Sequence, residues 1–162
     1  MRADTMLKEY ETMKKRLSVA EFQLSQFEGV SESDVIHSMT LAHPQEGERV
    51  QTSNISDKTA SVALNYRQVM ERENREWFNY LLKEYRYISE ELSFFESCVK
   101  SLPDNLPSLV MDLINKENTW DEIATKYSIA RSTITKYRKR AIMMIDEMYE
   151  LRDKQTEAYI LS

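Results

Sequence analysis

Two glycines, three prolines and one cysteine are all that the 162-residue chain holds of the residues that make tight turns and covalent cross-links. So few turn residues exclude an all-β fold, which needs glycine, asparagine or proline at its hairpins. They favour an all-α chain built from long helices. With Cys98 alone there is no intramolecular disulfide, which fits a reducing, cytoplasmic setting. No apolar run is long enough to cross a bilayer, and the opening MRADTMLKEYETMKKRL lacks the continuous apolar core of a signal peptide. No membrane partner is therefore expected. A Gly-rich phosphate loop, a nucleophile elbow and an HExxH motif are all missing, so the chain is not expected to be an enzyme or to carry a cofactor. His37 and His43, with Asp34 and Glu46 nearby, follow no standard ligand spacing, and no metal is expected there.

What is present is a foldable composition, with 41% hydrophobic and 30% charged residues. The net charge of −5 discourages nucleic-acid binding by the chain as a whole. Any basic cluster therefore matters as a local asymmetry.

Met6, Tyr10, Met13, Leu17, Ala20, Leu24 and Phe27 alternate spacings of four and three, the seam of a coiled coil, and predict a helix over roughly Asp4 to Glu28. Residues 29–56 hold both glycines and no sustained periodicity, which predicts a long functional or mobile loop. From Asp57 to about Lys100 the pattern predicts one very long helix capped by Ser56 or Asp57. Its apolar positions are Val62, Tyr66 and Val69, then Trp77, Leu81, Tyr85, Ile88, Leu92, Phe95 and Val99. Between the groups lies ERENRE, with Glu71 and Arg75 spaced to pair; this polar belt either faces water or marks a bend. At 1.5 Å per residue the second helix would reach roughly 65 Å and the first roughly 37 Å, so the shorter cannot cover the longer. Part of the stripe, including Trp77, Phe78 and neighbouring tyrosines, is left for the C-terminal unit or another subunit, and self-association, with a dimer favoured, is the economical expectation. Residues 1–100 are thus expected to be a helical hairpin or coiled-coil scaffold.

SLPDNLP, residues 101–107, marks a boundary: Pro103 ends the long helix, Asp104 or Asn105 caps the next, and Pro107 is tolerated in its first turn. Thr119 and Glu122 then form a Thr-x-x-Glu capping box. In TWDEIATKYSIARSTITKYRKRA, residues 119–141, the apolar or small positions Ile123, Ala124, Tyr127, Ile129, Ile134 and Tyr137 fall where a helix-turn-helix needs them. Ser128 stands where the turn usually carries glycine, and Ala130 where a serine or threonine would cap the second helix. The second helix is expected to run through Leu151, closing a helix-turn-helix unit over residues 101–152, with 153–162 a frayed tail.

From Lys126 to Arg140 there are six basic residues and no acidic one, the footprint of a phosphate-binding surface. In a helix-turn-helix the first turns of the second helix reach base edges in the major groove of double-stranded DNA. Arg131, Ser132, Thr133, Thr135 and Lys136 occupy those turns, and Arg131 suits a bidentate contact to guanine. Arg138, Lys139 and Arg140 lie further along and are assigned to phosphates, which position without reading sequence.

The stretch DEIATKYSIARSTITKYRKRA is similar to region 4 of sigma factors, in which an EIA triplet, a short turn, a Ser/Thr-rich recognition helix and an arginine-alanine pair (here Arg140 and Ala141) recur. The wider layout, including Ser56 to Thr59 after a variable loop, resembles the RinA/ArpU-type late transcription regulators of phages and related mobile elements of Gram-positive bacteria. That resemblance implies a DNA-binding activator of packaging, structural or lysis genes in a bacterial host cell, in contact with host RNA polymerase. A small-terminase-like packaging protein is the alternative, although that family usually places its DNA-binding part first in the chain.

Overall fold

The computed structural model describes residues 2–29, 31, 33 and 57–162, and side chains of the second helix from residue 66 onward. The expected loop over 29–56 and the histidine pair lie outside the described residues, apart from positions 29, 31 and 33. The described residues are all-helical, without a strand: α1 (Arg2–Ser25), α2 (Asp57–Lys100), α3 (Leu106–Asn115), α4 (Trp120–Lys126) and α5 (Arg131–Ile160). The span of α2 is the one its stripe predicts, and it is helical across the polar belt. There Arg72 bonds Glu73 at 3.0 Å and reaches Glu76 at 3.8 Å, one position along from the expected Glu71–Arg75 pair.

The chain divides into two compact units. The first joins Met1–Val19 to Arg86–Ser162, and the second is Ala20–Tyr85. The reason lies in the core of the first unit. Met6, Tyr10 and Met13 of α1, Ile88, Leu92, Phe95 and Val99 of α2, Leu106, Val110 and Ile114 of α3, and Ala141, Ile142, Ile145 and Tyr149 of α5 form one buried cluster. The end of α2 thus buries its stripe against the C-terminal helices and shares their core. Phe95 and Tyr149 are fully enclosed, with Tyr10 against Phe95 at 5.9 Å and Phe94 edge-on to Tyr149 at 5.0 Å between centroids. Cys98 lies in the same core, where burial pushes its thiol above its ordinary pKa.

Polar contacts fasten the beginning of α1 to α5. An Asp146 oxygen accepts the Ala3 N–H at 2.9 Å, so α5 satisfies one of the first amides of α1. Glu91 is the buried charged residue among those described, and Arg2 at 2.9 Å and Arg152 at 2.8 Å both donate to it. Two guanidiniums on one carboxylate compensate for its loss of water. The Arg152 guanidinium also covers the Phe94 ring at 4.3 Å.

In the second unit Phe27 meets Phe78 edge-on at 5.2 Å, and Trp77 stacks on Tyr80 at 5.7 Å. Trp77, placed in the apolar stripe by its spacing, is 44% exposed. Gly29 has a φ of +89°, which favours glycine, and a Cβ there would sit 2.8 Å from the Asn74 side chain and displace it.

Candidate nucleic-acid interface

The interface begins with how α4 is held. Thr119 is its N-cap: its side-chain oxygen accepts the Glu122 N–H at 3.3 Å, and a Glu122 oxygen accepts the Thr119 N–H at 2.6 Å. That is the capping box its sequence predicts, and the bond from the Thr119 amide holds the Glu122 carboxyl below its usual range. At the other end Asp112 of α3 accepts from Lys126 Nζ and Tyr127 Oη, each at 2.8 Å. Burial raises the Asp112 carboxyl, but the bonds from Lys126 and Tyr127 and the lysine's charge outweigh it, and the net shift is downward. Tyr127 is pushed up to about 12, by burial first and then by this carboxylate.

The turn follows from these anchors. Ser128 N–H donates to Thr125 O at 3.1 Å and Ile129 N–H to Ala124 O at 3.0 Å, the paired bonds of a Schellman motif. The motif puts Ser128 in the left-handed region, at φ 53°, where glycine is the usual occupant. Ala130 is the N-cap of α5 in an extended conformation (φ −71°, ψ 146°), with no side-chain bond to the first amides. Both departures read from the sequence are present in the backbone. Ile123 and Ile134 are buried beneath the turn, Ala124 and Ile129 half-buried, and α3 packs on both α4 and α5.

Helical rotation sorts the eight residues assigned to DNA. About 3.6 residues per turn puts Ser132, Lys136 and Lys139 on the face opposite Ile134, Ala141, Ile142 and Ile145, with Thr135 at its edge. All four are exposed. Thr133 is half-buried, and its N–H bonds Ala130 O at 2.8 Å. Arg131 is exposed, but its guanidinium lies 3.5 Å from Asp121 on α4. Arg140 reaches Asp104 at 3.9 Å. Arg138, assigned to phosphates, has a partner on α1. Four residues after Ile134 and four before Ile142, it is half-buried beside that stripe and paired with Asp4.

Tyr137, expected among the inward positions, is also partly exposed. With Tyr127, Ile129, Leu106 and Leu109 it lines a cavity of about 320 Å³ under the turn. The acid-free sequence from 126 to 140 is therefore not acid-free in space. Asp112, Asp121, Asp4 and Asp104 reach four of its six basic residues, and Lys136 and Lys139 are the two without a carboxylate partner among the described residues. The folded surface offers a narrower positive strip than the sequence does, centred on two lysines, a serine and a threonine.

Comparison with family models, curated proteins and solved structures finds no match. Among the described residues no helix is long and apolar enough to cross a membrane.

Proposed function

We propose that α4, the turn and the first turns of α5 form a helix-turn-helix that reads double-stranded DNA, and that the chain is a transcriptional regulator. The observation that carries this reading is the exposed row of Ser132, Thr135, Lys136 and Lys139 at the beginning of a helix that follows a tight turn. Hydroxyls at that position offer donors and acceptors to base edges, and unpaired ammonium groups attract phosphates. The net charge of −5 confines this attraction to the strip.

The resemblance to RinA/ArpU-type regulators narrows the role to activation of late phage genes in the cytoplasm of a bacterial host, beside RNA polymerase. A single unit of this size discriminates poorly among sites, so two or more copies act together. The exposed Trp77 and Tyr80 of α2 are the surface best suited to join them. Under this reading α1 and α2 are the coiled-coil scaffold and residues after Lys100 the DNA-binding part, braced by the shared core.

Selection of bound sequences from a random DNA pool, followed by footprinting, tests the function. The expected result is one enriched motif with repeated half-sites; a pool that stays random after several rounds excludes sequence-specific binding. Light scattering that finds a monomer at micromolar concentration excludes the pairing.

A further inference from the structure

We infer that Asp121 of α4 is a specificity-determining residue: it orients the Arg131 guanidinium for a base contact and makes no contact with DNA itself. This inference rests on the DNA-reading function proposed above.

Arg131 is the first residue of α5, at the positive end of that helix's dipole. A cation there opposes local stability. The first turn of α5 holds no acidic residue to offset it, and Ala130 supplies no cap. A carboxylate comes instead from the preceding helix, with Asp121 Oδ1 at 3.5 Å from Arg131 Nη1. Both side chains are exposed, 66% for Arg131 and 76% for Asp121, and such a pair adds next to nothing to folding. Its effect is geometric. A long side chain otherwise free to sample many rotamers is drawn over the head of the helix, with the rest of its fork still open.

Asp121 also lies in the first turn of α4, where a carboxylate modestly favours that helix's dipole. Its backbone oxygen accepts from Thr125 Oγ1 at 2.9 Å, which a side-chain substitution leaves intact. Its carboxylate repels phosphates, so its presence beside a basic strip lowers general affinity for DNA. A residue that costs general affinity while orienting one arginine acts on the ratio of specific to non-specific binding.

The test uses the full chain and its selected DNA site. Binding of the unaltered chain, Asp121→Ala, Arg131→Ala and the double variant is measured on that site, on the site changed at each base pair in turn, and on random DNA. Asp121→Ala is expected to lose about tenfold in discrimination at the base pair that depends on Arg131, a fraction of a full bidentate contact. Its binding to random DNA should stay level or rise, its melting temperature should fall by no more than a few degrees, the loss of one first-turn carboxylate from α4, and in the Arg131→Ala background it should have no further effect on discrimination.

Three results overturn the inference while leaving DNA reading intact. These are unchanged discrimination in Asp121→Ala, an equal loss in both backgrounds, and a loss at a base pair that Arg131→Ala does not affect. A uniform loss on every DNA together with a lower melting temperature assigns Asp121 a structural role and overturns it as well. If the unaltered chain binds no DNA, the function and this inference fall together.

Discussion

Arg138 of α5 is paired with Asp4 of α1, 134 positions earlier in the chain. The pair joins the two ends of the first unit and takes Arg138 out of the strip proposed to meet DNA. Both side chains are partly exposed, so solvent screens the interaction, and its contribution to stability is about 1 kcal/mol or less. Arg138→Ala should lower stability by about that amount and Asp4→Ala by somewhat more, because Asp4 also pairs with Lys8 at 2.7 Å; the double variant should lose little more than Asp4→Ala alone. Chemical denaturation of the three variants measures the coupling. Additive losses would mean that the pair does not act as a unit.

Ala130 occupies the N-cap of α5 with the extended backbone that a capping residue needs and without the oxygen that makes the bond. Ala130→Ser therefore adds a hydrogen bond to a waiting amide without moving the chain. It should raise stability by about 0.5–1 kcal/mol, read as a higher denaturation midpoint at an unchanged slope. A midpoint that stays level or falls would place the start of α5 elsewhere.

Much of this architecture was legible because it rests on local rules. The capping box at Thr119, the left-handed Ser128, the uncapped Ala130 and the span of α2 each depend on a few neighbouring residues. The half-burial of Arg138 was legible too, because its spacing from Ile134 and Ile142 puts it beside the buried stripe. Other features needed the fold. Nothing near Lys126 in sequence shows that Asp112 will reach it, and nothing near Glu91 shows that Arg2 and Arg152 will enclose it. A break such as SLPDNLP ends a helix, but only packing decides which helices share a core, and α1 shares one with α5. The tail expected to fray over 153–162 is helical as far as Ile160, with its final residues exposed.

Asp112 links α3 to the end of α4 through Lys126 and Tyr127, and its carboxyl is held below its ordinary value of 3.8. A carboxylate with a lowered pKa in the folded state contributes stability that is fully present above its unfolded pKa and is lost as the pH falls through the folded one. Asp112→Asn should therefore melt below the unaltered chain at pH 7, and the gap should close progressively below about pH 3.8. Melting curves across pH 2–7 measure this. A gap that persists in acid would assign the effect to the shape of the side chain and not to its charge.

Lys139 and Arg138 are neighbours in the sequence with the same charge, yet the fold gives them opposite surroundings. Lys139 is exposed and has no carboxylate partner among the described residues, whereas Arg138 already holds Asp4. A lysine that neutralises one phosphate releases the counterion condensed there, which contributes about 0.9 to the slope of log affinity against log salt. Lys139→Ala should weaken binding to specific and random DNA by similar factors and reduce that slope by about 0.9. Arg138→Ala should leave the slope as it is, provided the comparison is made at a temperature where both variants remain folded. Binding titrations at four or five salt concentrations on one site and on random DNA distinguish the two. Equal slopes for the two variants would mean that charge at this end of α5 acts through its sum and not through the positions into which the fold sorts it.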